Sequence, residues 1–477
     1  MHLQAPQSLV IVSAALLLAG CAVGPDYRRP AVDAPSLVRG ADMPASTNSL
    51  VDLPWWQVFK DPVLEDLIRL ALTNNYDLRI ILTRIDQARA IHLQARSQFL
   101  PQVGYGGQAM HGRNLVGDMP ISTGGDTVDG LLGGLGALWE IDLWGRVRRM
   151  NEAARANLMA TQEGRRNVMV SLVGGVARAY FELLALDNQL AIARRTEESY
   201  ARSHELFGQR LAEGLGSSLE LSRAELALRS VRANIPEIER QRALKENEIN
   251  ALLGRNPGPI SRTSNLLAQE MPAEVPVGLS SSLLERRPDL RAAEQRLRAA
   301  NAEIGVAVGD FLPQIGLTSF YGGASSDLQN MLSSGGSMWT LAANTAGPLF
   351  TGGRLTGRLH QAKAACEEAM LQYQQTALGA FHEVSDALIS RRRLEEERDQ
   401  QAMAVAAGQR AVDLATSRYK EGKASYYEVL EAQQQLFPAE NTLSRVEAGR
   451  RLVLVQLYKA LGGGWEWMEA PASASVR

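Results

Sequence analysis

The sequence predicts an α+β chain made of two copies of one unit, each a pair of β-strands feeding a long helical hairpin. Three observations predict it. The first is a repeat. Phe99-Leu100-Pro101-Gln102-Val103-Gly104 returns 212 residues later as Phe311-Leu312-Pro313-Gln314-Ile315-Gly316. Arg210-Leu211-Ala212-Glu213-Gly214 returns 208 residues later as Arg418-Tyr419-Lys420-Glu421-Gly422. The repeated unit is far longer than the ~20–50-residue period of solenoids. The second observation is proline placement. No proline falls between Pro120 and Pro236, or between Pro348 and Pro438. An interior proline costs ~3 kcal/mol or more, so each gap admits a very long helix. The third is a strand-like alternation just before each gap.

Composition limits the function classes. The chain has 477 residues, with 50 basic and 52 acidic side chains and a formal net charge of −2. Nucleic acid is excluded as the main partner, because phosphate binding wants a basic excess. Aromatics are only 6%, which suits long Ala/Leu/Gln-rich helices better than an aromatic-cored enzyme domain. No Gly-x-Ser-x-Gly, Walker loop, His-Glu-x-x-His or Cys-x-x-Cys occurs, and the six histidines lack metal-ligand spacing. No catalytic residue, metal or cofactor is therefore expected. The two cysteines imply no disulfide framework, and Cys366, set among alanines, reads as a small buried thiol.

The elements follow in order. Residues 1–20 read as a signal peptide, with a short apolar run at 9–19 that is too short to span a bilayer. The run ends in Leu18-Ala19-Gly20-Cys21, which resembles a bacterial lipobox with Cys21 as the acylated first residue of the mature chain. Its n-region departs from the usual pattern, since residues 1–7 carry no Lys or Arg. Residues 21–61 read as an extended, lipid-anchored lead, because Pro25, Pro30, Pro35, Pro44 and Pro54 forbid regular helix. Copy one spans 62–253, with a strand pair at about 101–142 and a helical hairpin whose tip lies near 214–218. A proline-rich linker covers 254–282. Copy two spans 283–469, with strands at about 313–349 and a tip near 422–425. Residues 470–477 form a small polar tail.

Val103, Tyr105, Gly107 and Ala109 alternate with Gln102, Gly104, Gly106 and Gln108, and Leu131, Leu135, Trp139 and Ile141 share a second apolar face. Strands of ~10 residues with dyad alternation fit an outer-membrane barrel. The pattern alone fits two soluble hairpins equally well. Four strands cannot close a barrel, because single-chain barrels start at ~8, so a barrel here must be shared between chains. In the first long helix Val170, Val173, Val176 and Tyr180 form a stripe, and Leu378, Phe381, Val384 and Leu388 repeat it 208 residues on. The helix over about 146–213 would be roughly 100 Å long at ~1.5 Å per residue. Gly at each tip supplies the C′ position, and Ser the next N-cap. Pro236 and Pro438 sit at different places in the return helices, which predicts two dissimilar kinks. The four surplus residues of copy one lie between Gly104 and Gly145, most simply in the loop 111–130.

Several stretches together resemble one family over nearly all of the mature chain. They are Cys21-Ala22-Val23-Gly24-Pro25-Asp26-Tyr27, Trp55-Trp56 with Phe59, Asp61-Pro62 and Leu64, then Leu284-Glu285-Arg286-Arg287-Pro288-Asp289-Leu290-Arg291, and Leu457-Tyr458-Lys459-Ala460-Leu461-Gly462-Gly463-Gly464-Trp465. The chain resembles the outer membrane factor (TolC-like) family, in the lipoprotein branch of resistance–nodulation–division efflux pumps. The resemblance implies a homotrimer in which each chain gives four strands to an outer-membrane β-barrel, continued by a long periplasmic α-helical barrel. It implies a passive exit duct for a tripartite multidrug or small-molecule efflux system, with a periplasmic adaptor (membrane fusion protein) and an inner-membrane pump as partners. Anchorage in outer-membrane lipid is implied by Cys21. The same architecture serves type I protein secretion, and a non-conducting lipid-anchored coiled-coil scaffold is the alternative from another class.

The resemblance also places a gate where the tips converge. Tyr419 matches a tyrosine that ties neighbouring coiled coils. Glu428 and Glu431 match acidic positions near the constriction, and Glu220 sits 208 residues before Glu428. Rings of carboxylate favour cations at a pore mouth. The alternative is that these carboxylates face solvent on an ordinary hairpin. Ala424 departs from the family, whose members often carry a charged gating partner there. The small tip residues Gly214, Gly216, Ser217, Ser218, Gly422, Ala424 and Ser425 would let the adaptor's hairpin approach closely, and they are also turn-formers.

Overall fold

The computed structural model describes residues 22–32, 39, 61–113, 127–262, 266–268, 284–331, 333 and 335–463. Cys21, the signal peptide, Trp55-Trp56 and the tail lie outside them, as does most of the linker. The helices are α1 (Pro62–Asn74), α2 (Tyr76–Ser97), α3 (Arg146–Ala212), α4 (Ser218–Leu252), α5 (Pro288–Gly309), α6 (Leu328–Met331), α7 (Arg354–Lys420) and α8 (Tyr426–Ala460). The strands are β1 (Gln102–Arg113), β2 (Thr127–Ile141), β3 (Gln314–Ser325) and β4 (Ser337–Ala346). By chain contacts these residues form two compact units.

The first unit comprises residues 1–31, 84–162 and 292–374. Its four strands form one antiparallel meander in the order β1-β2-β3-β4, so β2 of copy one pairs directly with β3 of copy two. The register puts Val103, Ala137, Ser319 and Leu341 in one cross-strand row, and Tyr105, Leu135, Tyr321 and Trp339 in the next row on the same face. That face is apolar and uncovered, with Tyr105 91% exposed. The opposite face is glycine-rich and mixed: it carries Gln102, Gly104, Gly106, Gly134, Gly136, Thr318 and Asn344 together with Leu132, Leu138 and Phe320. An apolar, aromatic-bearing face alternating with a face that carries glycine and polar residues fits a barrel strand between lipid and lumen. Among the described residues β1 and β4 each pair on one side only, so both outer edges of the sheet are bare.

The strand bounds correct one expectation. β4 stops at Ala346 and does not reach 349, because Gly347-Pro348 follows and proline has no N–H to donate to a ladder. β2 has 15 residues against 10 in β4. The ladders match pair for pair, from Gln102–Leu138 to His111–Asp129 in copy one and from Gln314–Ala346 to Gly323–Ser337 in copy two. The four surplus residues of copy one therefore fall between His111 and Asp129, inside the expected stretch. Glu140 and Ile141 stay paired, with Gly316 and Ile315, where copy two has already met its proline.

Also in this unit, residues 22–31 form a docked strap. Val23 N–H donates to the Trp144 carbonyl at 2.9 Å, and Arg149 donates to Val23 O at 3.1 Å and to Asp26 at 2.7 Å. Asn301 donates to Pro25 O at 2.9 Å. Gly24 has φ +93°, and a Cβ on it would lie 2.4 Å from Gly305 Cα. Only glycine fits there, for both space and backbone. Tyr27 packs under the Arg298 guanidinium at 4.8 Å and donates to Glu294. Burial, with the nearby Glu294 charge, pushes the Tyr27 phenol up to about 12.

The second unit comprises residues 32–83, 163–291 and 375–477. Asp61 caps α1 by accepting from Val63 N at 2.9 Å and Leu64 N at 3.1 Å, with Pro62 at the first helical position. Asn75 ends α1 and its side chain caps α2 through Leu78 N. The main core gathers Leu64, Ile68, Val176, Tyr180, Leu183, Val384 and Leu457. All four residues of the copy-one stripe are buried. In copy two Leu378 is 59% exposed, and the buried stripe of this unit runs instead through Ala377, Ala380, Phe381 and Val384, with the Leu378 face left uncovered among the described residues. In the first unit Cys366 is half-buried rather than buried, and desolvation pushes its thiol up. α4 and α8 remain continuous helices through Pro236 and Pro438. Of the linker residues, Leu266–Ala268 form a 3-10 turn.

Candidate functional site: the hairpin tips

Each hairpin turns by the same backbone device. After α3, Gly214 takes φ +75° and Leu215 N–H donates to Arg210 O at 2.8 Å. After α7, Gly422 takes φ +71° and Lys423 N–H donates to Arg418 O at 2.8 Å. These six-to-one bonds cap the last turn and require a residue that tolerates positive φ.

The restarts differ. Ser217 forms a full capping box: its hydroxyl accepts from Leu219 N–H, and Glu220 accepts from Ser217 N–H at 3.0 Å. Ser425 is extended but makes no side-chain cap bond. Glu428, the counterpart of Glu220, instead turns toward Arg418 at 3.7 Å. The two acids expected in one ring thus have different tasks, and Glu220 is occupied within its own hairpin. Glu431 is exposed and has no ion-pair partner among the described residues. Lys423 pairs with Glu421 at 2.7 Å.

The two tips are tied to each other. Arg210 donates to the Tyr419 hydroxyl at 3.0 Å. Tyr419 meets Tyr426 edge-on at 4.8 Å, and Tyr426 meets Phe207 edge-on at 5.1 Å. The Tyr426 and Ser203 hydroxyls lie 2.7 Å apart, and Gln433 donates to Ser199 at 3.0 Å. Arg223 stacks over Tyr427 at 4.9 Å. Beneath them Ala193, Tyr200, Ala227, Leu228, Val231 and Leu430 form a second core, and burial pushes the Tyr200 phenol up to about 12. Edge-to-face pairs of this kind add ~0.5–1.5 kcal/mol each beyond burial.

Of the residues singled out from the sequence, Tyr419 and Glu428 come together around α7's last turn, while Glu431 lies one helical turn further along α8. The tip residues Gly214, Ser217, Ser218, Gly422 and Ser425 are exposed, and Ala424 is partly so. Gly216 is less free: a Cβ there would lie 3.0 Å from Leu211 N. Cys21 lies outside the described residues. Sequence reasoning missed Arg210, Ser203, Phe207, Tyr426 and Arg223. The adjacent tyrosines Tyr426-Tyr427 beside a turn are the one local signal that pointed to them. No cluster of metal-ligating side chains exists among the described residues.

Comparison with known proteins gives the same picture at larger scale. A model described as Outer membrane efflux protein matches twice, at residues 67–255 and 279–463. Cation efflux system protein CusC of Escherichia coli O157:H7 is 34% identical over 465 residues, covering 97% of this chain and 99% of that protein. Probable outer membrane lipoprotein SilC of Salmonella typhimurium is 33% identical over 461 residues, covering 96% of this chain and 98% of that protein. The solved structure of the outer-membrane channel OprN superposes with a TM-score of 0.87 at 29% identity, covering 94% of this chain and 100% of that one. The chain belongs to the outer membrane efflux protein family.

Proposed function

We propose that three copies of this chain assemble into the outer-membrane exit duct of a tripartite efflux system. The observation that carries this is the open four-stranded sheet. It has an apolar face and two bare edges, and the same chain supplies two long helical hairpins. Bare edges are closed by pairing with further strands, and three copies supply an even-numbered barrel of the usual kind. Cys21, acylated, holds the chain to the outer membrane. The duct is passive. Its energy comes from an inner-membrane resistance–nodulation–division pump, joined through a periplasmic adaptor that grips the small residues of the tips. Glu428 and Glu431 place carboxylates at the mouth and favour cationic cargo. The likeness to a cation efflux protein supports that preference.

Two measurements test the reading. The purified full-length protein is expected to run as a heat-modifiable trimer and to conduct in planar bilayers with cation preference. Glu428→Gln with Glu431→Gln is expected to weaken that preference while leaving the trimer intact. Absence of both trimer and conductance in wild type and variant alike would falsify the duct. A deletion strain that keeps its full tolerance to drugs and metal cations would remove the efflux role.

A further inference from the structure

The strap begins at the foot of one strand pair. Ala22, the first described residue, is held there through its neighbour: Val23 N–H donates to the Trp144 carbonyl, three residues past the end of β2. Gly145 leaves room for it, since a Cβ on that glycine would lie 2.6 Å from Ala22 Cα. The Trp144 indole in turn donates to Pro313 O at 2.7 Å, one residue before β3. Cys21 is the next residue along the chain, with its Cα only ~3.8 Å from that of Ala22 across a trans peptide. Anything it carries therefore starts beneath the β2–β3 pair, where copy one joins copy two. This level has the marks of a bilayer boundary. Trp139 donates its indole N–H to Phe99 O at 3.1 Å, and indoles favour the membrane–water interface. Just below, Asp142 caps α3 by accepting from Val147 N and Arg148 N.

Above this foot the apolar face of the sheet carries a groove of about 390 Å³. Its floor is the cross-strand pair Ala137 and Ser319. Val103 and Leu341 flank that pair in the same row, and Tyr321 and Trp339 rise beside it in the next row. Small residues amid large ones leave a trough instead of a flat face. Ala137 lies four residues above Ile141, ~13 Å along a strand at ~3.3 Å per residue. A tilt of ~45° turns that into ~9 Å of depth, well inside one leaflet of a ~30 Å hydrocarbon core. We propose that a fatty acyl chain carried by Cys21 lies in this groove, over the β2–β3 join. A phospholipid chain would suit the same trough, but only the chain on Cys21 is covalently held at its lower end. The anchor is then seated on its own strands, and each buried methylene adds to the contact. This rests on the acylated Cys21 and the membrane-facing sheet of the duct read above.

Photo-crosslinking in cells tests the seat. The full-length protein is expressed with palmitate that bears a diazirine and an alkyne, then irradiated, and its peptides are mapped by mass spectrometry. The label is expected to join the Cys21 peptide to the peptides that hold Ala137 and Ser319. Ala137→Leu with Ser319→Leu, which fills the trough, is expected to cut that product several-fold while the label on Cys21 is unchanged. Ala109→Leu, on the same face but away from the trough, is expected to leave the product as it was. The inference is overturned if Cys21 is labelled but cross-links only to phospholipid. It is also overturned if the trough residues are joined to labelled phospholipid and not to Cys21, or if filling the trough leaves the product unchanged. An unlabelled Cys21 would instead bring down the lipid anchor, and the seat with it.

Discussion

At the scale of single residues, two buried carboxylates show how much hangs on one partner. Asp61 caps α1 with one oxygen and accepts from the Tyr180 hydroxyl at 3.0 Å with the other. Hydrogen bonds to charged groups are worth about 1.5–3 kcal/mol. Tyr180→Phe is expected to cost that order of stability, read as a lower midpoint for trimer melting. Glu447 is a second case. Burial pushes its pKa up, but hydrogen bonds and charge from Arg451, Arg450 and Arg398 outweigh burial and hold it below the ordinary carboxylate range. A depressed folded pKa means stabilisation that is complete above the unfolded value, about 4.3, and lost as pH falls through the folded one. Glu447→Gln is therefore expected to be less stable than wild type at neutral pH. The two should converge in acid, and a persistent gap at low pH would show that Glu447 acts by packing alone.

At the scale of elements, the two tips offer an internal control. Ser217 carries a complete capping box and Ser425 makes no side-chain cap bond. Ser217→Ala is expected to destabilise the start of α4 by about 1 kcal/mol, read as faster proteolytic nicking at the first tip. Ser425→Ala is expected to leave the second tip's nicking rate unchanged. Equal effects at both tips would contradict the difference. The positions of helices and tips were legible in the sequence because proline and glycine act on the backbone locally. The strand faces were legible because alternation is a period-two signal. The ties between hairpins were not. Arg210 and Tyr419 lie 209 residues apart, and nothing near either one names the other. Leu378 misled for a related reason: periodicity marks an apolar face without saying which chain covers it.

For the whole molecule, the strap shows how the lead segment is integrated with the barrel-forming unit. Gly24→Val places a branched side chain where even a Cβ would overlap Gly305, at a φ that costs ~1–3 kcal/mol for a non-glycine residue. It is expected to free residues 22–31 for proteolysis and to lower trimer stability, while acylation, followed by labelled palmitate, proceeds normally. Unchanged protection of the strap would show that its docking does not depend on Gly24. The duplication was the most legible feature at this scale, and the asymmetry between copies the least. It resides in a handful of substitutions, such as Leu211 for Tyr419, whose meaning depends on contacts across more than two hundred residues.

The bare edges of β1 and β4 bear on how the protein is made. A newly exported chain presents two adhesive rims, and any passing strand can occupy them. Assembly is then a race between finding sister copies and sticking to strangers. A lipid leash on Cys21 would shift the odds, because it confines the search to a membrane leaflet, where sisters meet by sliding sideways.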